Sequence, residues 1–125
     1  MSKTILAIPS QMPGGMDSGM GMHFGHCDIY TIVELENGQV SAQSTLESIP
    51  HQQGGCMAPV QYLASHGVNA LLAGGMGMRP LMGFNQMGIS VYFAGNQPTV
   101  GMAVQAFCQG KLTEFTPEHT CGGGH

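Results

Sequence analysis

The chain has 125 residues, 42% of them apolar and only 8% charged, with a formal net charge of −4. Its three cations, Lys3, Arg79 and Lys111, cannot build the basic footprint that neutralises phosphates, which argues against a nucleic-acid partner. No apolar run of about 18 residues is long enough to span a bilayer, and no secretory h-region with a cleavage site follows the N-terminus, so a cytoplasmic protein without a membrane partner is expected.

Residues 3–9 (KTILAIP) form a short apolar run ended by Pro9, the pattern of a buried first strand. Residues 10–25 are too rich in Gly and Met for a helical or alternating period and read as a long loop. Residues 28–35 (DIYTIVEL) are rich in β-branched and aromatic types, and Asn37-Gly38 supplies the positive φ values of a tight hairpin, with residues 39–46 as the return strand. A second loop covers residues 47–55. Val60, Leu63 and Ala64 then fall at helical spacing in residues 57–66, with Pro59 tolerated in the first turn and Gly67 as a stop. Residues 69–73 (NALLA) are a short buried strand, and residues 74–77 a tight turn. A helix from Pro80 to about Met87, a strand over residues 89–94 (ISVYFA) and an amphipathic helix over residues 99–109 follow. The expected division is a domain over residues 1–112 and a flexible Cys/His/Gly-rich tail over residues 113–125.

The order β-β-β-α-β-α-β-α implies an α/β fold: a mixed five-stranded sheet with one antiparallel strand, flanked by helices. Ligands in such sheets sit outside the carboxyl ends of the parallel strands, so the loops after Pro9, Ala73 and Ala94 should share one edge. Two of these loops carry unusual chemistry. Residues 16–27 (MDSGMGMHFGHC) hold Met16, Met20, Met22, His23, His26 and Cys27. Thioether and thiolate are soft ligands that select Cu(I) and sulfide-bridged metals, and imidazole suits several first-row ions. No CxxC pair is present, which argues against structural zinc. The bland alternative is that the methionines fill a core and the histidines are solvated.

Cys56 precedes a helix start, where the dipole and donor N–H groups favour thiolate; the alternative is a small buried hydrophobe. Gly74, Gly75 and Gly77, with Arg79 at the next helix, suit close backbone approach to an anion, or else a plain strand-to-helix turn. His119, Cys121 and His125 in the tail could close over a metal or remain solvated. Cys27, Cys56, Cys108 and Cys121 could pair as two disulfides by number alone, but in a reducing compartment they read as ligands or free thiols. Cys108, beside Val104 and Phe107, is expected to be buried. No Ser/His/Asp or Cys/His set stands out, and Asp17 and Asp28 are the only aspartates, so no catalysis is expected.

The blocks HFGHCDIYTIVELENG and GGCMAPVQYLASHGVNALLAGGMGMRPLMGFNQMGISVYF resemble the dinitrogenase iron–molybdenum cofactor biosynthesis family, the NifX/NifB C-terminal type of domain, over residues 3–112. The resemblance implies a ribonuclease-H-like, three-layer fold and a non-catalytic carrier or store of a sulfide-bridged cluster. It is strongest toward a branch in sulfate reducers that holds a mixed molybdenum–copper sulfide cluster without covalent attachment. It implies that the HFGHC loop (His23, Phe24, Gly25, His26 and Cys27) and the GGMG turn (Gly74, Gly75, Met76 and Gly77) line the cluster site. Beside them Met16, Met20 and Met22 are expected to shield the cluster from water, and Met78 and Arg79, after the turn, to complete the site, with Arg79 and the glycine N–H groups offsetting its charge. The metal-contact set would be His23, His26 and Cys27, with Cys56 and Cys121. Other members hold iron–sulfur or iron–molybdenum species, and a Cu(I) chaperone or sensor is a further alternative. Partners would be the anionic cluster and other cluster-handling or ATPase proteins.

Overall fold

A computed structural model of the chain describes residues 3–12, 14–20, 29–47, 57–74, 78–94 and 97–115. The elements are β1 (Lys3–Ser10), β2 (Ile29–Glu36), β3 (Gln39–Glu47), α1 (Met57–Ser65), β4 (Ala70–Ala73), α2 (Met78–Gln86), β5 (Ser90–Phe93), α3 (Val100–Cys108) and β6 (Thr113–Glu114). They build one sheet of six strands in the order β3-β2-β1-β4-β5-β6. β1, β4 and β5 are parallel, β2 is antiparallel to both β1 and β3, and β6 is antiparallel to β5.

Position in the sheet explains each strand's composition. β1 is flanked on both sides and covered on both faces, so Leu6, Ala7 and Ile8 are all fully buried and the run is apolar throughout. β3 is the outer strand next to β2; its residues are exposed except Leu46, and its sequence QVSAQSTLE is correspondingly polar. The β2–β3 turn has Asn37 and Gly38 at φ 54° and 80°, the left-handed pair that matches strand twist in a two-residue hairpin. Ser41 is an extra residue between the pairs Glu34↔Ala42 and Leu35↔Val40, and its hydroxyl donates to the Glu34 carbonyl at 3.1 Å.

Alternation along the strands divides the core in two. On one face Ala7, Tyr30, Ile32 and Leu71 pack beneath Val60 and Leu63 of α1 and Leu81 and Phe84 of α2. On the other, Leu6, Ile8, Val33 and Leu72 pack beneath Val100, Ala103 and Val104 of α3. Helices on both faces of one sheet give the three-layer α/β fold that the resemblance implies. No helix among the described residues is long and apolar enough to cross a membrane.

Three expectations are corrected. The sheet has six strands rather than five, because Thr113 and Glu114 pair with Phe93 and Tyr92 of β5. The domain therefore continues past residue 112: Phe115 is only 5% exposed, its N–H donates to the Val91 carbonyl at 2.8 Å, and its ring meets Phe93 edge-on at 5.9 Å. Cys108 is exposed rather than buried. The buried residues of α3 are Val100, Ala103, Val104 and Ala106, and Cys108 instead lines an open groove with Val40 of β3.

Candidate functional site

Strand direction decides where the loops gather. Since β1, β4 and β5 run parallel, Ser10, Ala73 and Phe93 end at one edge of the sheet. β2 starts at that edge, with Ile29 opposite Ser10, and β3 ends there, with Glu47 opposite Ile29. The segments that follow β1, β3, β4 and β5 therefore all leave from the same edge. α1 and α2 carry the chain back toward the starts of β4 and β5, so their positive N-terminal ends are directed to it. The shared edge inferred for the loops after β1, β4 and β5 is thus what the backbone builds.

The stretch after β1 is ordered by its own hydrogen bonds. The Gln11 N–H donates to the Gly19 carbonyl at 3.0 Å, and Ser10 forms an antiparallel bridge with Met20. The chain from Gln11 to Met20 thus doubles back on the end of β1 as a strap. Gly14 and Gly15 turn it with φ of 82° and 97°, values that side chains rarely tolerate. A Cβ on Gly14 would also come within 2.9 Å of the Thr45 methyl. The Gly15 N–H donates to the buried Thr31 hydroxyl at 3.0 Å, and Thr31 shares a second hydrogen bond of 2.8 Å with the buried Ser10 hydroxyl. Two buried hydroxyls on β1 and β2 therefore fix one limb of the strap.

The other limb is fixed on α3. The Val100 and Gly101 N–H groups donate to the Ser18 and Met16 carbonyls at 2.9 and 2.8 Å, and Gly19 bridges Thr99. The Thr99 side chain caps the same helix end by accepting from the Met102 N–H. These donors at the start of α3 are thus used within the protein. Ser10 pairs with Ile29 on one side and bridges Met20 on the other. Met20 and Ile29 are accordingly held across β1, about 10 Å apart by strand spacing.

Of the residues singled out in the sequence, Met16 is half-buried in the strap and Met20 is 8% exposed, packed in the α3-side core with Ile8 and Val100. Gly74 directly follows β4, and Met78 and Arg79 open α2. Met22, His23, Phe24, Gly25, His26, Cys27, Cys56, Gly75, Met76, Gly77 and Cys121 lie outside the described residues. Their described neighbours Met20, Ile29, Gly74 and Met78 all flank the common edge. β6 runs from opposite Phe93 toward Val91, so at Phe115 the chain heads away from that edge. Among the described residues no group of three His, Cys, Asp or Glu could hold a metal ion. Sequence reasoning missed the strap's anchors, Thr31 and Gly101. A hydroxyl inside an apolar strand and a glycine inside a helix were the available signals.

Residues 4–110 match the family model described as dinitrogenase iron–molybdenum cofactor. The uncharacterized protein MJ0580 of Methanocaldococcus jannaschii is 33% identical over 95 residues, covering 74% of this chain and 80% of that protein. The crystal structure of PH0822 superposes with a TM-score of 0.76 at 28% identity, over 90% of this chain and 96% of that one. The apo form of the orange protein from Desulfovibrio gigas superposes with a TM-score of 0.78 at 23% identity, over 90% and 93% of the two chains.

Proposed function

The chain belongs to the dinitrogenase iron–molybdenum cofactor family, whose members bind a metal cluster or a cofactor precursor, and from that premise we propose that it carries or stores a mixed molybdenum–copper sulfide cluster without catalysing a reaction. The observation that carries the reading is convergence. Four interstrand segments leave one sheet edge, and Met20 and Ile29, which flank the Met/His/Cys-bearing residues 21–28, are held across β1.

The chemistry of this edge suits a soft anion as cargo. Helix starts at α1 and α2 direct partial positive charge toward it, and the glycines at 74, 75 and 77 allow backbone N–H groups to approach closely. Arg79 is a cation in the sequence of the first turn of α2. Met16, Met22, His23, His26 and Cys27 supply the soft and borderline donors that favour Cu(I) in a sulfide framework. Met20 contributes differently, as the core anchor from which residues 21–28 depart.

Anaerobic titration with tetrathiomolybdate and Cu(I) is expected to give stoichiometric, protein-bound colour from charge-transfer bands that co-elutes with the protein. Absence of any stoichiometric chromophore contradicts the molybdenum–copper reading. A second reading, an iron–sulfur or iron–molybdenum precursor carrier, is favoured by sequence position: Cys27 comes two residues before the start of β2 and Cys56 one residue before the start of α1. Replacing Cys27, Cys56 and Cys121 with Ser abolishes iron binding on that reading, and leaves molybdenum–copper uptake largely intact on the first.

A further inference from the structure

The cluster reading uses the residues at the sheet edge but leaves the α3 side of the strap without a role. That contact is unusually exacting. Gly101, the second residue of α3, donates its N–H to the Met16 carbonyl at 2.8 Å. A Cβ built on Gly101 would lie 2.9 Å from the same carbonyl oxygen and 3.5 Å from the Met16 Cβ. The nearest atom belongs to backbone, so no side-chain rotation relieves the clash, and the strap itself would have to move.

Intrinsic helix preference runs the other way, since alanine is a better helix former than glycine. Gly101 also has an ordinary helical backbone, with no positive φ that would demand glycine. Among the described residues, the close approach of the strap is therefore the feature at this position that glycine serves. Met16 is four residues from Met20, and Met20 is the last described residue before the Met/His/Cys segment.

We infer that Gly101 is a positioning residue for the cargo site: by admitting the Met16 carbonyl it pins the strap to α3 and so fixes where residues 21–28 begin. The inference rests on the cluster reading for what is positioned, but the pinning is a property of the protein alone. A strap released from α3 leaves Met20 less firmly seated beside Ser10, and cluster binding must then also order that limb, which weakens affinity.

The test compares Gly101→Ala with Ala103→Gly, two exchanges between the same residue types in the same helix. Ala103 is fully buried on α3 and its N–H donates to the Thr99 carbonyl rather than to the strap. G101A is expected to speed amide hydrogen exchange at Val100 and across the strap, to keep the wild-type melting temperature or exceed it, and to weaken binding of the thiomolybdate–Cu(I) cluster by about tenfold. A103G is expected to lower the melting temperature while binding within about twofold of wild type. Wild-type exchange and affinity in G101A overturn the inference. So does a loss of affinity in A103G equal to that in G101A, because it would report helix stability instead of positioning. If wild-type protein takes up no cluster, the molybdenum–copper reading fails by itself. The pinning is then decided by exchange alone, and unchanged strap protection in G101A overturns it.

Discussion

Thr31 shows how much a single hydroxyl can decide. Its neighbours in β2 are Tyr30 and Ile32, all three are buried, and the strand reads as an ordinary β-branched run. Yet the Thr31 hydroxyl bonds both the Ser10 hydroxyl and the Gly15 N–H. Thr31→Val keeps the shape and removes the partner of a backbone donor, which costs roughly 1–3 kcal/mol. Urea unfolding should show that loss, and a midpoint equal to wild type contradicts this role. Sequence could flag Thr31 only as a strand former, because its partner Gly15 lies in a loop without period. At the surface, Lys3 Nζ lies 2.9 Å from Glu34 Oε1. That hydrogen bond first, and the charge of Glu34 second, raise the Lys3 pKa. A raised ammonium contributes in full below the ordinary lysine value near 10.4 and loses its contribution as pH climbs through the raised one. The pair therefore adds no pH dependence around neutrality. Its partners are 51% and 35% exposed, so Glu34→Gln should leave the melting temperature unchanged at physiological salt.

Elements with a strong period or a clear turn were legible, and elements made by their neighbours were not. The Asn37-Gly38 hairpin and the helix flanked by Thr99 follow from local chemistry, and both stand where the sequence puts them. β6 has two residues and no pattern; it exists because β5 leaves an open edge and Phe115 finds a pocket beside Phe93. The strap escaped notice for the same reason, since its order comes from partners on β2 and α3. Two truncations test the element-scale account. A chain ending at Phe115 keeps β6 and the buried ring. A chain ending at Leu112 loses β6 and the buried ring, with a cost of about 3 kcal/mol, the low end for removing a buried Phe because this one sits beside the sheet's last strand. Equal melting temperatures for the two chains contradict a domain that extends past residue 112.

For the whole molecule, topology carried the site further than residue chemistry did. The βαβ connections require β1, β4 and β5 to share a direction, so the placement of the loop cluster followed from element order. What the sequence could not separate was the role of each methionine: Met20 packs in the core while Met16 gives its carbonyl to α3, and both look alike as soft donors in a Gly-rich loop. With a net charge of −4, the proposed anionic cargo would depend on local positive potential at the edge, which the starts of α1 and α2 supply. The central claim is that the cargo is a molybdenum–copper sulfide cluster. Its most direct test is metal and sulfide quantitation of protein purified anaerobically from its native source without reconstitution. The account predicts molybdenum, copper and acid-labile sulfide together in fixed ratio to the chain; iron with sulfide, or copper alone, would contradict it.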